Sequence, residues 1–193
     1  MARTSNREQI LTEGLEVVRQ RGFHAAGVRD ITSAAGVPQG SFSNHFASKE
    51  AFGLEILDRY FDDVTALVGS TLRDTGRPPL ERLRSYFDAI TRRMEERDWR
   101  HGCLIGNLSL ESTEDSDAIR DRLAEVFRVW RQPFADCLRE AADEGHIRLT
   151  VEPLDLADFL LASWQGALMR MKVERSPEPL ERFRRIVEST ILA

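Results

Sequence analysis

Lysine is almost absent from this chain, which holds 25 arginines but only two lysines, Lys49 and Lys172. Cysteine is as scarce, with only Cys103 and Cys137. Two thiols are too few for the disulfide framework of a small secreted fold, so both are expected to be reduced. There is no run of about eighteen apolar residues, which leaves nothing to form a membrane-spanning helix. The start, Met1 to Arg7, lacks the apolar core of a signal peptide, and a cytoplasmic location is expected. No segment alternates apolar and polar residues for long enough to make a half-buried strand. No Walker or dinucleotide glycine pattern occurs. The four histidines, His24, His45, His101 and His146, are scattered, and no paired Glu-x-x-His motif accompanies them. Asp98 and His101, three apart, form a lone pair. These gaps leave no expected metal or cofactor and argue against a helical-bundle enzyme, the main rival reading.

What is present is helical spacing throughout 193 residues that are 41% hydrophobic and 31% charged. Ile10, Leu11, Leu15, Val17 and Val18 mark a first helix that Gly22 stops. Short helices over about Val28–Ala35 and Gln39–Phe46 follow, the second with Pro38 at its mouth, where a missing N–H is harmless. Ser48 can cap a long fourth helix reaching Leu72. The stretch Asp74-Thr75-Gly76-Arg77-Pro78-Pro79 is the clearest break. Beyond it lie a helix marked by Leu80 to Met94, a short one over Gly102–Ser112, and a long one from Ala118 to Glu144 in which Pro133 predicts a kink. Two more follow, over about Leu154–Glu174 and Pro177–Leu192. The fold class is therefore all-α with about nine helices, divided at residues 1–47 and 48–193. The penultimate helix is apolar over more than one face, which calls for burial on two sides and predicts a homodimer.

The net charge of −5 argues at first against a nucleic-acid partner. Its distribution changes that, because residues 1–50 hold six basic against five acidic side chains and the acidic excess lies beyond them. Within 22–46, Gly36 makes a tight turn between two short helices, and small Ala34 and Ala35 let them approach. Val28, Ile31, Val37, Phe42 and Phe46 can build a compact core with the first helix. The second short helix then offers Gln39, Gly40, Ser41, Ser43, Asn44 and His45, small or hydrogen-bonding groups suited to a major groove, with no carboxylate among them.

This ordered set, Gly22, Phe23, Ile31, Ala35, Gly36, Val37, Gly40, Ser41, His45, Phe46, Ser48, Lys49 and Glu50, resembles the helix-turn-helix of the TetR family of transcriptional regulators. The resemblance implies a three-helix DNA-binding module on a helical ligand-binding and dimerisation body. It implies a dimeric repressor on a palindromic double-stranded operator, released by a small effector; an activator of the same fold is the alternative. It places Gln39, Gly40, Ser41 and Asn44 near base edges, and His45 and Lys49 on phosphates. Ser43 stands where the family usually carries a tyrosine. Ala26-Gly27 replaces the usual Thr or Ser cap, and Arg29 can supply a nearby phosphate contact.

Two segments of the body, Gly102 to Glu111 and Trp164 to Glu174, resemble the AcuR- and NemR-like branch of that family, which answers to acrylate or to electrophiles. A primary amine can lower the pKa of a neighbouring thiol, and thiolate attacks unsaturated carbonyls. Cys103 with Lys172 is therefore a candidate electrophile sensor. Alternatively, Arg170 or Asn107 would hold a small carboxylate, with Trp130, Phe134 and Trp164 lining the cavity. Cys137, inside an apolar stripe, reads as packing.

Overall fold

The computed structural model describes residues 5–192. Among them the chain forms nine helices and no strand, as the periodicity predicts. They are α1 (Asn6–Arg21), α2 (Val28–Ala34), α3 (Gly40–His45), α4 (Lys49–Ser70), α5 (Pro79–Glu95), α6 (Leu104–Glu111), α7 (Asp117–Asp143), α8 (Pro153–Glu174) and α9 (Glu178–Thr190).

Local chemistry sets the ends. Ser5 caps α1, its hydroxyl accepting from the Glu8 amide at 3.3 Å. Gly27 caps α2 without a side chain, and the Asp30 carboxylate reaches back to accept from the Gly27 amide at 3.0 Å. That bond serves the backbone donor in the way a capping box does. The α2–α3 turn needs Gly36, whose φ of +65° is costly for any residue with a Cβ. Its amide donates to Ser33 O and the Val37 amide to Thr32 O, closing the end of α2. Prolines stand in the first turns of α5, α8 and α9, where no amide hydrogen is required. Pro133 lies inside α7, which nonetheless continues from Asp117 to Asp143.

Two compact units result, and the divisions between them fall within α4, at the start of α6 and within α7. The first comprises residues up to Asp62 together with Leu104–Glu125. Ile10, Leu15 and Val18 of α1, Ile31 of α2 and Ile56 of α4 are buried in it. At its centre Phe42, Phe46 and Phe52 meet with ring centroids 5.1 to 5.5 Å apart. Leu104, Ile105, Leu108, Ile119 and Leu123 are buried parts of the same unit, although they lie far along the chain.

The second unit comprises Asp63–Cys103 and the chain from Val126 onward. Its core is aromatic. Tyr86 and Phe87 of α5 meet Phe134 of α7, and Phe87 meets Trp164 of α8 and Phe183 of α9. Among the described residues no helix is long and apolar enough to cross a membrane.

Phe52 is fully buried at the meeting point of the first unit's rings. Phe52→Ala should cost about 3 to 5 kcal/mol of stability, read as a lower urea midpoint.

Candidate nucleic-acid interface and buried aromatic cluster

The α2–α3 pair is positioned from below by α1, and what it leaves outside is the candidate interface. Gln39, Gly40, Ser43, Asn44 and His45 are all exposed on or beside α3. Ser43 folds its hydroxyl back onto Gly40 O at 3.1 Å. Ser41 does not belong with them. It is only 9% exposed and shares the inward face of α3 with Phe42. A six-residue helix has room for one buried and one exposed side, and Ser41 falls on the buried one.

Most cations of this module already have partners. Arg7 pairs with Glu55, Arg19 with Glu16, and Arg21 with Asp30 at 2.7 Å. Lys49, half-buried at the start of α4, donates to His24 O at 3.1 Å and stands 4.9 Å over the Phe23 ring. Among the described residues of the module, Arg29 is exposed on α2 and makes no such pairing.

Sequence reasoning assigned no role to Glu111, yet its carboxylate accepts from the His24 amide at 3.1 Å. The His24 imidazole also contacts Glu111 O and lies 3.2 Å from the Asp115 carboxylate. Ser116 donates to Glu50 at 2.5 Å and accepts from the Ile119 amide, so one hydroxyl caps α7 and holds α4. Arg122 donates to Asp58 of α4 at 2.6 Å.

In the second unit, Trp130, Phe134 and Trp164 join one cluster through Tyr86, Phe87 and Phe183. The Trp130 indole donates to the Tyr86 hydroxyl at 2.9 Å. Trp164 lies 4.9 Å from Phe87 and 5.1 Å from Phe183, and none of it is exposed. Its indole N–H has no acceptor, nor has the buried side-chain nitrogen of its neighbour Gln165. A buried donor left unpaired costs about 1 to 3 kcal/mol. Arg170 is a correction to the expected set: it is exposed and ion-paired with Glu174 at 2.5 Å. Six residues from Trp164, it lies off the stripe that α8 buries through Leu160, Leu161, Trp164, Leu168 and Met171. Lys172 is half-buried near the end of α8. Cys103 is buried just before α6, and Asn107 is half-buried on α6.

A three-helix module with a polar recognition helix, continued by a helical body with a buried aromatic cluster, defines a helix-turn-helix transcriptional regulator. Residues 10–56 match the bacterial regulatory proteins of the tetR family, and residues 79–187 match the tetracyclin repressor-like C-terminal domain. The chain is 46% identical to the transcriptional repressor DhaR of a Mycobacterium species, covering 100% of this chain and 95% of that protein. It is 34% identical to the transcriptional regulator AcuR of Cereibacter sphaeroides, over 92% and 81% of the two chains. The crystal structure of reduced Escherichia coli NemR matches with a TM-score of 0.85 and 29% identity, over 98% of each chain. The chain belongs to the TetR family and is a ligand-responsive, DNA-binding transcriptional repressor.

Cys137 is placed for packing, as its sequence setting suggests. Fully buried, it donates to Leu72 O at 3.2 Å, the same carbonyl that Arg82 binds. Burial pushes its pKa from 9.0 to about 11, against the opposing pull of Arg82. A raised thiol pKa means less thiolate at any pH below it. At pH 8 the native Cys137 should therefore alkylate about 100-fold more slowly than an ordinary thiol. The rate should climb as pH approaches 11, which site-resolved mass spectrometry of iodoacetamide labelling would read.

Proposed function

We propose that two copies of this chain bind a palindromic operator through the exposed face of α3. Gln39, Gly40 and Asn44 read base edges or nearby backbone, and Ser43, His45 and Arg29 contact the phosphates. The observation that carries this reading is the polar, acid-free exposed side of α3, with unpaired Arg29 on the neighbouring helix. Ser43 is too short for the backbone packing that a tyrosine would give. Affinity then depends on a few contacts made twice.

The dimer is supported by a second apolar stripe on α8. Phe159 is 58% exposed, Met169 55% and Val173 78%, on the side of the helix opposite the buried stripe, with Ile186 of α9 also exposed. An exposed apolar stripe of this kind fits a self-complementary interface. Val173→Glu should shift the protein towards monomer in sedimentation and weaken operator binding with it. A variant still dimeric at micromolar concentration would remove α8 from the interface.

A small effector lodges beside Trp130, Phe134 and Trp164 and supplies the acceptor that the Trp164 indole lacks. Its class is an unsaturated carboxylate such as acrylate, or an electrophile sensed at Cys103 with Lys172 in support. Release from DNA then requires the effector to favour the non-binding state.

A duplex selected by the protein from a random library supplies the test. Asn44→Ala and Gln39→Ala should each cost about 1 to 3 kcal/mol on that duplex and relax preference at one base pair per half-site. Operator release is then assayed with acrylate, quinones, aldehydes and hypochlorite. Cys103→Ser should lose the response to electrophiles while keeping duplex affinity, and an unchanged response would remove the covalent route.

A further inference from the structure

His24 is where three distant stretches of the first unit converge. Its amide donates to the Glu111 carboxylate, and its carbonyl accepts from the Lys49 ammonium at 3.1 Å. Its ring touches Glu111 O and Asp115. Two residues earlier, Gly22 has a φ of +89°, and a Cβ built on it would lie 2.9 Å from Glu111 Oε1. The carboxylate therefore occupies the space that any other side chain at 22 would need. Phe23 between them lies against Gly53, where a Cβ would come within 2.7 Å of the ring, and carries the Lys49 ammonium on its face. Acid on one side and amine on the other thus grip a single turn. Burial lowers the Lys49 pKa while Glu111 raises it, as an ammonium turned inward towards that carboxylate would show.

The turn they grip leads directly into Gly27, the cap of α2, and then to Arg29. The other ties of the 104–125 segment, Ser116 to Glu50 and Arg122 to Asp58, hold α4 instead. We propose that Glu111 and Lys49 are positioning residues that clamp the α1–α2 turn and so set α2 and α3 for DNA. The clamp makes the end of α6 part of the DNA-reading apparatus, although α6 presents nothing to the duplex itself. This inference rests on the DNA-binding function and not on any effector.

Two readouts test it, one with DNA and one without. Binding is measured on the duplex selected by the wild-type protein. Lys49→Met should weaken binding and, without DNA, accelerate amide exchange at residues 22–26. Glu111→Ala should weaken binding about tenfold, whereas Glu111→Gln, which keeps an acceptor for the His24 amide, should restore most of it. The double variant of Lys49→Met and Glu111→Ala should weaken binding by less than the two single effects combined, because both act on one turn. Without DNA, amide exchange at residues 22–26 should accelerate in Glu111→Ala and stay slow in Glu111→Gln. Unchanged exchange in folded Lys49→Met removes Lys49 from the clamp. Unchanged exchange in folded Glu111→Ala overturns the clamp whatever the duplex shows.

Discussion

A carboxylate can approach a backbone amide closely only where no side chain stands in the way, and the first unit is organised around one such approach. Glu111 reaches the His24 amide across the space that a side chain on Gly22 would fill. The same glycine lets the chain leave α1 in a left-handed conformation that L side chains rarely adopt. One residue therefore serves two demands, the reversal of the chain and the access of the acid. Because the turn is held there, Phe23 can close against α4, and Gly27 can begin α2 with its amide on Asp30. The exposed polar side of α3 follows from this arrangement, since α3 packs its Phe42 onto rings that α4 supplies. Charge plays a positioning role in this unit as well as any role it has towards DNA.

That division of labour accounts for the near-neutral module. A DNA-binding surface gains affinity from every unpaired cation facing phosphate. Here Arg7, Arg19 and Arg21 are engaged with carboxylates of the same unit, and Lys49 with a carbonyl and a ring. Among the described residues of the module few positive charges are left over for a duplex, so a single copy is expected to bind weakly. In the dimer proposed above, contacts made twice compensate, and the exposed apolar stripe of α8 is the surface proposed for that pairing. A surface pairing with so little excess charge also favours discrimination over non-specific binding, because base contacts then form a larger share of the total.

The helices themselves were legible because their signals are local. Gly22, Gly36, Pro79 and Pro153 bound the elements where a glycine or proline must, and the apolar period of α7 survives the proline within it. The aromatic cluster was half legible: Trp130, Phe134 and Trp164 announced themselves as large apolar residues, but Tyr86, Phe87 and Phe183 became their partners only through packing. Two assignments failed for one geometric reason. Ser41 and Arg170 have suitable chemistry but sit on the wrong side of their helices, and a short or two-faced helix does not declare its sides in sequence. Glu111 was invisible for another reason. Its partner lies 87 residues away, and no local pattern encodes a contact of that span. The one available hint was a glycine at position 22 where the chain turns, which tells of a close approach without naming what approaches.

The unpaired indole of Trp164 and the clamp at His24 suggest how a ligand-responsive fold can be poised. A buried donor without an acceptor raises the energy of the empty state by an amount that a suitable ligand removes. That gain does nothing to DNA binding unless it differs between the conformation that binds the operator and the one that does not. The difference must therefore arise where the chain couples local geometry to the reading head, and in the first unit the turn before α2 is held by side chains that come from beyond residue 100. The hydrogen-bonded carboxylate and the amine add direction to a turn that Phe23 and Ala26 already anchor by burial. A repressor needs both states within reach of its effector's binding energy.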